Sequence, residues 1–401
     1  MKMKKIDLPR RRRMEIGISL LLALVLVLWA AVLQWTDTER DATAARKRSF
    51  AIARVTDVLE DDAETQDWTE GRRIGQQYLE IEILNGEWKG EVLETINYLT
   101  IYTNVDAREG TRIIVRLDVD ENGALYVVSI PNYERATVLM GMLAVFAAVL
   151  IFIGRRKGVM ALLGLIYTLA SLWFIQVPMI LRGADAVLTA ILIVTLTTVA
   201  SLFLLTGWSM KTLCASLGCV GGVAAAGLFA AVAGTISPLN GFNLSEAEEL
   251  VLRSTEYDLH ISGLFVSGIL IASLGAVMDV AMSISSACWE LRELNPELPR
   301  ASLFRSGMNI GRDAMGTMAN TLILAFAGAS LNVLLLLQIY DYPFIQIFNT
   351  DAIATEMIRG VAGSIGIILT VPLVALLSAQ LMKPQKKRPQ PADKNEAKKK
   401  K

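Results

Sequence analysis

The sequence predicts a membrane α-helical bundle of about eight transmembrane helices, with a small extracytoplasmic all-β domain (OB-like or SH3-like) inserted after the first helix. Three observations carry that prediction. Hydrophobic residues make up 53% of the chain and charged residues 19%, and the mean hydropathy is +0.45. The apolar residues fall in runs of membrane length separated by short polar stretches, the pattern of a polytopic membrane protein. One polar block, 36–135, interrupts these runs and alternates as strands do.

The chain opens with a basic tail, 1–14, followed by an apolar segment, 15–35, long enough to cross the hydrocarbon at ~1.5 Å per residue. Its core exceeds the usual ~7–15 residues of a cleavable signal and has no clear A-x-A site, so it reads as an uncleaved signal anchor. After the β block, the segment 136–382 holds seven further spans, near 136–154, 158–177, 184–206, 211–235, 260–287, 313–338 and 357–382. With the amino terminus inside, "GRRKG" (154–158), Lys211 and the connector holding Arg292, Arg300, Arg305 and Arg312 fall inside, where basic residues concentrate. The basic tail 383–401 also ends inside. The expected setting is a bacterial cytoplasmic membrane, crossed many times, with both termini cytoplasmic and the tails near anionic lipid.

Net charge is zero, but the tails are basic and the block 36–135 is acidic. The basic tails flank spans and bring no fold or aromatic platform, so nucleic-acid binding is excluded as a partner class. The three cysteines, Cys214, Cys219 and Cys288, lie in or beside apolar segments, and His260 is the single histidine. That leaves no basis for a disulfide framework or a structural zinc site, and no cofactor is expected. HExxH, GxSxG and paired GxGD motifs are missing, so the chain does not read as an enzyme.

Within the polar block, "SFAIARVTDVLE", "QQYLEIEIL", "EVLETINYL", "TRIIVRLDV" and "ALYVVSI" predict five strands, with turn signals in "NGEWKG" and "DENG". The stretch "DVDENG" places Asp118, Asp120 and Asn122 as a calcium loop begins. Position twelve is Ser129 instead of Glu, and the flanks read as strands, so a tight hairpin turn is the better reading. The stretch "NLSEAEELVLRS", with Asn243 and Ser245 ahead of acidic residues, predicts a capped amphipathic helix on the outer surface.

Small residues mark helix packing. Gly218 and Gly222 stand four apart in "SLGCVGGVAAAG", and Gly360, Gly363 and Gly366 recur in the last span, spacings that let backbones approach. Pro372 should kink that span. Gly307, Gly311 and Gly316 would permit a broken or re-entrant entry to the seventh span.

Polar residues concentrate in "GAVMDVAMSISSA" (275–287) and "SGMNIGRDAMGTMANTLILAF" (306–326). With "GSIGIILTVPL" (363–373), these strings resemble the YibE/F-like family of bacterial polytopic membrane proteins. The resemblance covers most of the chain and implies a leading span, an extracytoplasmic β-rich segment and a multi-span domain. On function it implies little beyond a supposed role in transport.

The residues themselves leave two main readings. Asp279, Asn309, Arg312, Asp313 and Asn320 supply carboxylates, amides and a guanidinium in adjacent spans, a set able to hold a cation or proton and couple it to solute movement. Alternatively, Asp279 lies ~28 Å from His260 along a helix, near the inner rim, where an Asp279–Arg312 pair would pin two helices. Asp313 would then favour a helix amino terminus, and docking to lipid or a partner is a lesser option. The expected activity is movement of a small solute or ion. The alternative is a scaffold whose β-domain binds an envelope or secretion partner. The bilayer, a second copy and an envelope protein are the partner classes.

Overall fold

The computed structural model describes residues 48–119, 125–243, 247–253 and 259–382. The expected anchor at 15–35, both basic tails, Asp120 and Asn122 of the calcium-like turn, and Ser245 lie outside the described residues. The chain divides into two compact units, 34–153 and the remainder.

The first unit is a β half-barrel. Its strands are β1 (Arg48–Asp61), β2 (Glu64–Thr65), β3 (Arg73–Ile83), β4 (Val92–Leu99), β5 (Arg112–Val119) and β6 (Leu125–Tyr133). All pairings are antiparallel, in the order β2-β3-β1-β5-β6, with β4 also on β3. Alternation explains the core: Ala51, Ala53 and Val55 of β1 point inward with Leu79, Ile81 and Ile83 of β3 and Ile113, Val115 and Leu117 of β5. Bulges at Val55/Asp57 and Val58/Glu60 bend the long β1 so that both halves of the sheet share it. The edges β4 and β6 meet through a side chain: the Thr95 hydroxyl donates to the Val128 carbonyl at 2.9 Å. Gly75 starts the β3–β4 ladder at φ +144°, and a Cβ there would meet the Ala63 Cα at 2.7 Å, so only glycine fits.

The second unit is helical. Among the described residues, five helices are long and apolar enough to cross a membrane: Ala136–Leu181, Ala186–Thr206, Met210–Ile236, Leu264–Leu294 and Asp351–Leu381. The first of these begins within the first unit, which ends at 153. Arg300–Ala329 and Leu331–Ile339 form a sixth candidate, bent by 55°. We number the helices α1 (Ala136–Ser171), α2 (Val177–Leu181), α3 (Ala186–Thr206), α4 (Met210–Ile236), α5 (Ala247–Arg253), α6 (Leu264–Leu294), α7 (Arg300–Ala329), α8 (Leu331–Ile339), α9 (Phe344–Asn349) and α10 (Asp351–Leu381). The expected spans 136–154 and 158–177 share one helical run, interrupted at Arg155, whose backbone (φ 48°, ψ −126°) is not helical. Residues 172–176 form one widened turn before α2, where Pro178 lacks the N–H that a regular turn would use. Asp185 caps α3, accepting from the Val187 and Leu188 amides at 2.9 and 2.8 Å.

The core of this unit is built where α4, α6, α7 and α10 meet, and its closeness depends on glycine. A Cβ on Gly218 would collide with Val374, and one on Gly222 with Thr370 and, at 3.0 Å, with the Gly366 carbonyl. Gly366 faces Ala226 in return, and Gly363 faces Leu322 and Ser273. α10 continues through Pro372.

Two expectations about the seventh span need correction. The span does not open near 313, because α7 begins at Arg300 after Pro299. Asp313 therefore lies about three and a half turns inside the helix and has no amino-terminal dipole to favour it. Nor do Gly307, Gly311 and Gly316 break the helix. Gly307 packs on Cys288 and Ala375, Gly311 packs on Val371 and Ile284, and the break comes at the far end, at Ser330.

Candidate functional site

α6 and α7 run antiparallel, and their contacts fix which residues share a depth. Gly307 meets Cys288 and Gly311 meets Ile284, while Leu322 and Ser273 both meet Gly363. The contacts advance one residue up α6 for each residue down α7. At that register Asp279 is level with Gly316, Asn320 with Gly275, and Arg312 with Ser283. Arg312 and Gly316 are four residues apart, so the Arg312 Cα lies ~6 Å from the level of Asp279 along the helix axis.

The expected Asp279–Arg312 pin is not formed. Among the described residues no ion pair joins them, and both side chains are exposed. The Arg312 guanidinium instead donates to Asn309 Oδ1 on its own helix at 3.4 Å, a long contact. Asn309, Arg312, Asp313, Gly316 and Asn320 all lie on the side of α7 turned away from Gly307 and Gly311, and all are exposed. A Cβ on Gly316 would meet nothing within 4 Å, so this glycine is not a packing contact within the described chain. Asp279 has a comparable setting on α6. It follows Ala272 and Gly275 on an exposed stripe, and Gly275 too has nothing within 4 Å.

Two clefts border this region. One, of about 280 Å³, is lined by Gly164, Thr168, Thr197, Ser201, Gly275 and Met278, among others. The Thr168 and Thr197 hydroxyls donate back to the carbonyls of Gly164 and Ile193, which leaves the cleft apolar. The other, of about 230 Å³, lies between α7 and α10 and is lined by Ile323, Ser330, Glu356 and Gly360. Glu356 there is paired with Arg359 at 2.5 Å. Cys214, Cys219 and Cys288 are free and buried, and among the described residues no three His, Cys, Asp or Glu side chains converge as a metal group would.

The YibE/F-like protein family model matches residues 142–384, which is more than half of the chain and takes in the whole α6–α7–α10 assembly. The chain belongs to the YibE/F-like family. No curated protein and no solved structure matches it. The matched segment includes every residue of the candidate polar site and leaves out the β half-barrel.

The β unit carries polar chemistry that sequence reasoning passed over. Gln77 and Asn97 are buried, and the Gln77 Oε1 accepts from Asn97 Nδ2 at 3.0 Å and from the Ala107 amide at 3.1 Å. Arg73 bridges Asp61 at 2.5 Å and Asp106 at 2.9 Å, and Gln77 donates to Asp61 at 2.9 Å. The Arg73 guanidinium, helped by Gln77 and the Ala63 amide, holds the Asp61 carboxyl below the usual carboxylate value. This network ties the loop 100–111 to β1 and β3 through hydrogen bonds made by each member, with Asn97 Oδ1 left without a partner, and it reads as structural. Asp118 of the calcium-like turn is buried on β5 and ion-paired with Arg116 at 2.8 Å. The available signal was Gln77 at an inward position of an alternating strand.

Proposed function

We propose that this YibE/F-like protein is a permease-like carrier of a small polar solute or ion, with Asp279 of α6 and the polar face of α7 along the translocation path. One observation carries the reading: groups costly in hydrocarbon stand exposed over one range of depths on two adjacent helices. An Asp at a helix centre costs roughly 2.5 to 3.5 kcal/mol on insertion scales, so such groups face water or other polar groups. The reading has eight crossings, both termini in the cytoplasm and the β unit outside, as the distribution of Lys and Arg between connectors favours. The chain then works without enzymatic chemistry or a cofactor. Purified protein in sealed vesicles, offered a panel of ions and small solutes, tests it. Flux that Asp313→Asn or Asn320→Ala abolishes at normal expression supports the path, and wild-type flux in both variants removes these residues from it.

A second reading has its own observation. Trp68 and Tyr102 of the β unit are 66% and 97% exposed, and Trp68 and Ile101 border a cleft of about 270 Å³ with Arg72. Exposed aromatics beside a guanidinium suit an envelope-protein partner and a scaffold role. Stoichiometric cross-linking of one partner to residues 36–135, with no flux from the isolated protein, would favour it.

A further inference from the structure

Four positions on the outward side of α7, Asn309, Asp313, Gly316 and Asn320, succeed one another in steps of four and three, and all four are exposed; beyond them Ile323 turns onto Gly360 of α10. That alternation is the seam of a two-helix coiled coil. The opposite side of α7 already packs on α6 and α10 through Gly307 and Gly311, so the helix carries a second seam that nothing in the described chain fills. We propose that a second copy of this chain fills it, α7 against α7, about a two-fold axis along the membrane normal.

Two copies inserted with one topology place equal residues at equal depths. At Gly316 the missing side chain lets the two backbones approach, as small residues do between membrane helices. Asn320 then meets Asn320, and since an amide both donates and accepts, like pairs with like. A single Asn at such a position is a known device for fixing parallel register. Asp313 would face Asp313, an unfavourable meeting by itself. However, Arg312 stands on the flank of the same seam, and the two-fold sets each Arg312 beside the other copy's Asp313. One layer thus holds two opposite-charge pairs. The competing occupant, the apolar segment 15–35, carries one charge, Glu15 at its cytoplasmic end, which could answer Arg312 but leaves Asp313 without an opposite charge along the span. Charge complementarity therefore selects the second copy.

The inference uses residues of the proposed path but rests on their membrane placement, not on flux, and the two can fail separately. The test uses the full chain in its native membrane with Cys214, Cys219 and Cys288 replaced by Ala. A single cysteine is placed at Gly316 or Asn320, with Leu228 of α4, 69% exposed, as the outward control. On mild oxidation, Gly316→Cys and Asn320→Cys should double the apparent mass and Leu228→Cys should not, since a disulfide needs Cα atoms about 4.4–6.8 Å apart. Arg312→Asp should lower the yield of the Asn320→Cys dimer, and adding Asp313→Arg should restore it. Monomers at both seam positions, equal dimer yield at Leu228, or a seam cysteine captured within one chain by a cysteine placed at Leu24 would each overturn the proposal. Flux measured on the same variants keeps the two questions apart.

Discussion

The two units place their densest clusters of charged and amide side chains in opposite ways. In the β half-barrel, Gln77, Asn97, Asp61, Asp106 and Arg73 turn toward one another inside the unit, and of their buried atoms Asn97 Oδ1 is left without a partner. In the helical unit, Asp279 and the Asn309–Asn320 face of α7 turn away from a core built of glycine, alanine and aliphatic side chains. A polar group that finds its partners within its own unit contributes to stability. One that stands without them at membrane depth implies that a partner, whether solute, water or protein, completes it. Internal polarity should therefore fail in stability assays, and outward polarity should fail only in functional ones.

The sharpest break should come at the glycine core. Gly222→Leu would drive a side chain into Thr370 and the Gly366 carbonyl, and overpacking costs typically 1–3 kcal/mol and sometimes more. We expect loss of the monodisperse detergent-solubilised protein on size exclusion. Next comes Gln77→Leu, which removes the acceptor of Asn97 Nδ2 and of the Ala107 amide. A cost of about 1–3 kcal/mol, read as faster amide exchange across β3 and β4 in the full chain, is expected. Retained protection there would mean that the network is dispensable.

Acid should act on the same network, to a smaller extent. The folded carboxyl of Asp61 is held below its unfolded value near 3.9, so its contribution is present above that value. It is lost as pH falls through the lower folded value. Exchange protection of β1 and β3 should thus drop as pH falls below about 4, and Asp61→Asn should flatten that part of the profile. The smallest effect belongs to Gly316→Ala. With nothing within 4 Å, the added methyl should leave the fold of a single chain intact and raise thermal stability by at most about 1 kcal/mol through helix propensity. A large destabilisation of the monomer would show that Gly316 packs within the chain after all.

Much of the architecture could be read beforehand because it rests on periodicity. All five expected strands occur within a few residues of their expected bounds, since an alternating apolar face has one way to be buried. Gly218, Gly222, Gly363 and Gly366 were legible as close-packing points for a similar reason. The start of α7 was missed because the span was placed by hydropathy, and Arg300–Arg312 is polar on one side. The apolar side, Leu303 with Gly307 and Gly311, continues the helix upstream without raising the average. The Asp279–Arg312 pin failed on rotation about the helix axis, which turns both side chains outward and which sequence separation does not report. The Arg73–Asp61–Asp106 network escaped because its members come from two strands and a loop brought together only by folding.

Gly307 and Gly311 have one further consequence. They sit four residues apart and fit two adjacent slots, the first at Cys288 and Ala375 and the second at Ile284 and Val371. A slip of α7 by one turn in either direction would bring Leu303 or Met315 to a slot sized for hydrogen. The joint is keyed: α7 cannot ratchet lengthwise against α6 and α10. A motion of α7 relative to these two helices would have to tilt or part the joint instead of sliding along it.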